Sequence, residues 1–396
     1  MTLNHGNEAT QLIEEGAAAM QLTTQTRPRA NTQRESVDVI VIGGGQAGLS
    51  MGYHLARLGV RFVILNADAR IGDSWRKRWD SLRLFTPAKF DSLDGMPFPA
   101  PRNYFPTKDE MANYLEAYAQ RFQLPVRNGV RVERLFKRGS RYVVTAGHRE
   151  FDAGQVVIAM AKYQHANIPT FADQLSSDIV QLHAHDYRNL GQLQPGGVLL
   201  VGTGNSGADI ALEVARGGHK TWLSGRTTDE VPFRPDSFVG RNLFAPLVLG
   251  FVFKYLLTVN TPPGRKARPN ALTKGVPLIR VKHRDIAAAG IERVPRVVGA
   301  RDGQPLLQNG RTLAVRNTIW CNGFHPGFNW IDLPIFDKDG EPMHRSGVVA
   351  DQPGLYFIGL PFLHSMSSSM IHGVGRDAAR IGDAIKERLR AVAVNA

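Results

Sequence analysis

Two short glycine-rich runs carry the first readable chemistry in this chain. Gly43, Gly45 and Gly48 stand at G-x-G-x-x-G spacing in GGGQAG, and Gly202, Gly204 and Gly207 repeat it in GTGNSG. That spacing suits a pyrophosphate. The first glycine permits a tight turn, the second lets a phosphate approach the backbone, and the third lets helix pack close on strand. A helix that starts at such a turn offers its free N–H groups and the positive end of its dipole to the anion. One such run says little, because glycine-rich turns are common. Here each lies between a strand pattern and a helical pattern, the context the motif requires.

The elements that must hold these turns follow from hydrophobic patterning. Residues 37–42 form an apolar run that predicts a buried parallel strand, with a helix over 49–58 behind it. Residues 198–201 and 208–216 repeat the arrangement around the second turn. A second strand, 60–65, ends at Asn66, where dinucleotide sites usually place an acid to accept hydrogen bonds from ribose hydroxyls. Asn66 offers an acceptor oxygen without charge, and Asp68 stands close by to take over. In the second half, strand 221–223 ends in Ser224-Gly225-Arg226. An acid there would repel a 2′-phosphate, whereas an arginine binds it through a forked, charge-assisted contact. The second turn is therefore expected to take NADP rather than NAD.

Between the turns, residues 70–90 carry Trp75 and Trp79 among many basic residues, and the two tryptophans are expected to plug the domain edge. Thr107 and Glu110 have capping-box spacing, which predicts a helix running to about Phe122. Strands are expected over 130–135, 142–145 and 155–159, then near Val297, over 312–315 and over 318–320. Cys321-Asn322-Gly323 should turn the chain back to the first domain. A last strand is expected over 355–359 and a last helix over 377–391. Residues 1–36 read as a mobile polar tail, with a helical turn around 11–22.

Composition bounds the function. A chain of 396 residues with 43% hydrophobic content suits two or three globular domains. The single cysteine, Cys321, excludes a disulfide framework, a C-x-x-C redox pair and a cysteine-rich zinc site within the chain, and fits a reducing cytoplasm. No metal site is expected. The net charge of +13 gathers between Arg241 and Arg301, where Asp285 and Glu292 are the acids. No nucleic-acid motif accompanies it. Residues 243–259 are strongly apolar but too short to span a bilayer, so a buried or lid helix is expected, ended by Pro262-Pro263-Gly264 and followed by a basic loop. Beside Arg265, Lys266, Arg268 and Lys274, this stretch suggests peripheral contact with an anionic membrane. No signal peptide pattern is visible.

The order GGGQAG, IGDSW, GTGNSG, CNGF, GLYFIG resembles the bacterial flavin-containing monooxygenases, class B flavoprotein enzymes, and their YUCCA-like branch in particular. The resemblance covers about 37–385. Its most specific parts are SLRLFTPAKF (81–90) and VGTGNSGADIA (201–211). It implies an α/β fold of two Rossmann-like domains, the NADPH domain (166–325) inserted into a discontinuous FAD domain (37–165 and 326–396). It implies FAD on Gly43, Gly45, Gln46, Ala47, Gly48, Asn66, Trp75 and Val132, with Gly359 beside the isoalloxazine. NADPH would lie on Gly202, Gly204, Asn205, Ser206, Gly207, Ser224 and Arg226, with Asn205 and Asn322 as the catalytic residues that position the nicotinamide. The implied reaction oxygenates a small organic substrate with molecular oxygen through a flavin C4a-hydroperoxide. His183 resembles the histidine of the family's F-x-G-x-x-x-H pattern, with Ile179 at its glycine. Ala159-Met160-Ala161 replaces an A-T-G turn, and no asparagine stands near Phe85 and Thr86. Two alternatives stay open: an NADPH-driven flavin oxidase or reductase, and a nucleotide-bound scaffold or redox sensor.

Overall fold

The computed structural model describes residues 33–273 and 276–394. The N-terminal segment up to residue 32, with its expected helical turn, and Lys274 lie outside the described residues.

Two sheets organise the chain. In the first, β1 (Gln33–Ile42) pairs in parallel with β2 (Phe62–Leu65) on one side and β6 (Arg149–Ile158) on the other, with Val39 opposite Phe62 and Gln155. The helix α1 (Gln46–Arg57) makes the crossover between β1 and β2. A single-turn helix, α2 (Asp73–Arg76), and the longer α3 (Lys108–Arg121) follow. β3 (Val126–Arg127) extends the sheet beyond β2, while β4 (Arg134–Arg138) and β5 (Arg141–Ala146) form an antiparallel meander on β6. Strands Val39–Ile42 and 62–65 are buried throughout, as expected of parallel strands covered on both faces. β1 begins at Gln33, earlier than the tail boundary expected at residue 36. Polarity hid this: Gln33, Arg34 and Glu35 are mostly exposed yet pair with Arg149, Glu150 and Phe151.

After the short β7 (His165–Ala166) the chain builds the second sheet. Its order is β11-β10-β9-β14-β8, from β8 (Val180–His183), β9 (Val198–Val201), β10 (Thr221–Ser224), β11 (Glu292–Val294) and β14 (Asn317–Trp320). All pairs are parallel. Helix α4 (Asn205–Arg216) follows β9, as α1 follows β1. α5 (Pro262–Thr273) and α6 (His283–Ala288) precede β11, and the hairpin β12 (Val297–Arg301)/β13 (Gln304–Leu307) precedes β14. The chain returns through β15 (Phe324–His325), which pairs antiparallel with β7. β16 (Leu355–Phe357) then joins β6 in the first sheet, and α7 (Ile371–Val394) packs on α1. The second unit is thus an insertion in the first. No strand forms over 312–315; Leu313 and Val315 are instead buried beside Trp320 and Trp222.

The two tryptophans of the 70–90 segment part company. Trp75 packs against the first core, whereas Trp79 is buried in the second with Tyr187, Ile210 and Val214. This segment ties the domains together and leaves Arg78 at their junction. The capping box of α3 is present as its sequence predicts: Thr107 accepts from the Glu110 N–H, and the Glu110 carboxylate accepts from the Thr107 N–H at 2.8 Å.

Of the two expected readings of the apolar stretch, buried helix or lid, the buried one does not hold. Residues Gly240–Phe244 and Pro246–Leu256 form π-helical turns, and none of the second run is buried. Phe251 is 54% exposed and Leu247 48%. The stretch is apolar all round but rests on the protein along one side, so its other side faces outward. Lys89 Nζ donates to the Arg241 carbonyl and Arg376 to the Lys254 carbonyl, both at 2.6 Å. Pro262-Pro263-Gly264 opens a helix instead of a loop, since proline is tolerated in a first helical turn. Thr261 Oγ1 accepts from the Gly264 N–H at 3.3 Å.

Candidate cofactor sites at the two glycine turns

The two turns are built alike. Gly43 has φ +117° and Gly202 φ +116°, left-handed values that disfavour a side chain. A Cβ at Gly43 would meet the Ala159 carbonyl oxygen at 2.8 Å, and one at Gly202 the Cys321 carbonyl oxygen at 2.3 Å. At Gly48 and Gly207 a Cβ would lie 1.8 and 1.9 Å from the carbonyl oxygens of Gly43 and Gly202. Helix and turn therefore touch backbone to backbone.

The middle glycines differ in kind. Among the described residues no atom lies within 4 Å of a Cβ built on Gly45 or Gly204, and their φ values, −80° and −73°, suit any residue. Nothing in the protein demands glycine there. Each is also the N-cap of its helix, without a side-chain cap and without an acid in the first turn. A helix start leaves unsatisfied N–H groups, which water, a cap or a ligand must meet. Open space over uncapped donors is the cradle a dinucleotide pyrophosphate fills. The donor sets at Gln46-Ala47 and Asn205-Ser206 fit FAD and NADPH on this ground.

The strand that follows each turn ends differently. Asn66 is buried beneath the first turn, so close that a Cβ on Gly44 would strike its Cγ at 2.7 Å. Its amide donates to Asn128 Oδ1 at 2.8 Å, which directs the Asn66 carbonyl oxygen away from that contact. Asp68, the expected substitute, pairs with Lys77 at 2.8 Å. In the second half Ser224 is fully buried; its hydroxyl donates to the Pro295 carbonyl at 2.8 Å and accepts from the Val297 N–H at 3.1 Å. The expected contact of Ser224 with a nucleotide is therefore corrected: its hydroxyl is committed to the fold. Arg226 is exposed, and its backbone carbonyl accepts from Thr203 in the turn. Arg293 on the neighbouring strand also donates to that carbonyl, at 3.4 Å, so its guanidinium stands beside the Arg226 backbone at this end of β10. Arg293 escaped the sequence because the pairing that places β11 beside β10 comes from nonlocal packing.

The remaining expected residues fall as follows. A Cβ on Gly359 would meet Ala47 Cβ at 2.8 Å, so the returning chain reaches the first turn of α1. Trp75 and Val132 are half-buried against the first core. Both ends of the Asn205 amide are engaged by the chain: it donates to the Pro277 carbonyl at 2.9 Å and accepts from the Ile279 N–H at 3.0 Å. Asn205 thus anchors the segment after α5 to the start of α4. Asn322 lies half-buried directly after Cys321, beside the second turn.

His183 holds the return crossing. Its Nε2 donates to the Gly323 carbonyl at 3.1 Å while Nδ1 accepts from the His185 N–H at 3.1 Å, which fixes one neutral tautomer. Burial lowers its pKa in keeping with that state. The Cys321 thiol is pushed up to about 12 by burial, which leaves it protonated and inert beside the second turn.

Two such cradles, each at the carboxyl end of a parallel strand in its own sheet and with one unit inserted in the other, have the architecture of an oxidoreductase that pairs two dinucleotides. Residues 40–236 match the family model described as pyridine nucleotide-disulphide oxidoreductase. The chain is 38% identical to an uncharacterized CzcO-like oxidoreductase of Geobacillus kaustophilus, over 86% of this chain and 96% of that one. It is 26% identical to the probable indole-3-pyruvate monooxygenase YUCCA3 of Arabidopsis thaliana, over 81% of each. Among solved structures it is similar to a flavin-containing monooxygenase from Stenotrophomonas maltophilia, with a TM-score of 0.73 and 29% identity, covering 90% of this chain and 99% of that one. The chain belongs to the flavin-containing monooxygenase family. It is a flavin-dependent oxidoreductase that uses FAD and NADPH.

Proposed function

We propose that FAD lies on the first turn and NADPH on the second, and that the enzyme transfers one atom of molecular oxygen to a small organic substrate. The observation that supports this most is the pair of open, uncapped cradles at Gly45 and Gly204. Bound there, flavin would supply the redox chemistry, hydride uptake from the nicotinamide and oxygen activation. The protein's part is placement. The N–H groups after Gly45 and Gly204 hold the pyrophosphates, and Asn66 accepts from a ribose hydroxyl. Arg226 and Arg293 hold the 2′-phosphate. Asn322, at the return crossing, orients the nicotinamide, and Asn205 keeps the segment at Pro277 and Ile279 against the cradle. The π-helical stretch, tied to Lys89 and Arg376 of the FAD half, keeps water out.

The test is turnover under isotopically labelled oxygen across amines, sulfides and ketones. Label in one product, with less hydrogen peroxide formed than NADPH consumed, is the expected result. Peroxide equal to NADPH throughout would make the enzyme an oxidase, and no NADPH turnover would favour a nucleotide-bound scaffold.

A second reading concerns where it works. Leu243, Leu247, Phe251 and Tyr255 are exposed on the π-helical stretch and Phe238 just before it, and Arg265, Lys266 and Arg268 are exposed on α5 next to it. No helix among the described residues is long and apolar enough to cross a membrane. Apolar side chains beside a basic helix suit peripheral contact of a cytoplasmic enzyme with an anionic bilayer surface. Sedimentation with vesicles rich in phosphatidylserine at low salt is expected to carry the protein down; recovery in the supernatant rejects the contact.

A further inference from the structure

Arg78 is a cation without a counterion at the junction of the two domains. It sits between Trp75, which packs on the first core, and Trp79, which is buried in the second. Its Nε donates to the Ser74 carbonyl at 3.1 Å, and among the described residues no carboxylate acts on it. Burial holds its pKa below the ordinary arginine value; Tyr163 opposes that shift and the neighbouring charge of Arg188 adds to it. A half-buried guanidinium ordinarily gains an acid partner, because an uncompensated charge away from water is costly.

The groups around it have the character of a site. The Arg78 guanidinium lies 5.8 Å from the centroid of the Phe324 ring. The same Phe324 ring is met edge-on by Tyr163 at 5.6 Å and by His185 at 5.9 Å. His185 Nδ1 is buried without a hydrogen-bond partner, and burial favours its neutral form. Tyr163 is 54% exposed, so the cluster is open on one side. Its place in the fold is set by both turns. Tyr163 follows the Ala159 carbonyl that closes the first turn, and Phe324 follows Cys321, which closes the second. The short β7/β15 pairing brings the two crossings together.

We propose that Arg78, with Tyr163 and His185, binds the carboxylate of an organic ligand in this cleft and so selects acids as substrates. Phosphate groups of the two dinucleotides already have their own donors in the cradles and at Arg226. The Arg78 cluster offers a flat fork between aromatic edges, which suits a planar carboxylate borne by an apolar or aromatic body. The inference rests on the monooxygenase reading for the word substrate, whereas the binding of a carboxylate can be measured without turnover.

The experiment uses FAD-loaded protein and titration calorimetry with three probes: benzoate, neutral benzamide and inorganic phosphate. Benzoate is expected to bind and benzamide to bind at least about tenfold more weakly, as loss of a charge-assisted hydrogen bond requires. Arg78→Gln is expected to lose a similar factor for benzoate while keeping FAD content and NADP⁺ affinity, and Arg78→Lys to regain part of it. Tyr163→Phe gives a smaller loss in the same direction. Equal binding of benzoate and benzamide to the parent protein overturns the proposal, whether or not any variant folds. So does an Arg78→Gln protein that loses NADP⁺ or phosphate affinity instead of benzoate affinity, since the arginine then serves the nucleotide. Failure of NADPH turnover with benzoate binding intact would count against the enzymatic reading alone.

Discussion

The first and second glycine turns share a backbone and differ in what the next strand brings to them. Their left-handed glycines agree within a degree, and their helices touch the turn at 1.8 and 1.9 Å from a would-be Cβ. Beyond that, the first turn rests on a buried, neutral Asn66, and the second faces the exposed Arg226 with Arg293 beside it. In the proposed placement, the shared part would meet what every dinucleotide has, a pyrophosphate, and the unshared part what distinguishes them, the ribose and its substituents. The two cofactors would then be told apart by a changed strand end above an unchanged cradle.

The close-packed glycines give the largest expected effect. Gly48→Ala and Gly207→Ala each force a methyl into a backbone carbonyl. Each should cost the upper end of the roughly 1–3 kcal/mol range for overpacking, or more. Thermal melts of the two variants should fall together. A fall in one alone would break the equivalence of the turns.

The middle glycines separate ligand from fold. Gly45→Val should leave the unliganded fold nearly as stable as the parent, because no protein atom contests the space, and should abolish most FAD occupancy. Gly204→Val should keep FAD and raise the KM for NADPH. Flavin content after purification and steady-state kinetics read the two. Full flavin occupancy in Gly45→Val would remove FAD from the first turn.

These paired tests also mark how far the sequence could be read. The spacing of Gly43, Gly45 and Gly48 announced the cradle because the cause is local: a turn, a helix start and a contact within six residues. The capping box at Thr107 was legible for the same reason. Asn128 as the partner of Asn66, Arg293 beside Arg226, and the different cores of Trp75 and Trp79 depend on which strands lie side by side, and nothing local encodes that. Ser224 misled for a related reason. Its place at a strand end suggested a ligand contact, but the hairpin strand beginning at Val297 captures its hydroxyl. The apolar run after Leu243 left a buried helix and a lid both open, because hydrophobicity alone cannot tell a buried helix from one that faces outward.

Arg226 carries the next effect. Arg226→Ala should erase most of a preference for NADPH over NADH, a loss of roughly 1.5–3 kcal/mol for a charged hydrogen bond. Arg293→Ala should remove less, since Arg293 also supports the Arg226 carbonyl. The ratio of kcat/KM for the two nucleotides measures both. Parent protein that uses NADH equally well would show that the strand ends do not discriminate.

The smallest effect comes from a helix that needs no cofactor at all. α3 is capped by its own Thr107 and Glu110, whereas α1 and α4 begin at glycines that cap nothing. If the dinucleotides serve as the caps of α1 and α4, the three helices should respond differently to cofactor removal. Thr107→Ala should cost about 1 kcal/mol, the usual worth of a side-chain cap, and the loss should be the same with and without FAD. Stripping FAD from the parent should lower the melting temperature through α1, and the thermodynamic stabilisation should grow with free FAD concentration as expected for a ligand that binds only the folded state. The two losses should add in a Thr107→Ala protein without FAD, because the cap of α3 and the start of α1 share no hydrogen bond. Melting curves of the four species decide it. A Thr107→Ala loss that vanishes when FAD is removed would mean that α3 too is organised by the cofactor, and the contrast between self-capped and ligand-capped helices would not stand.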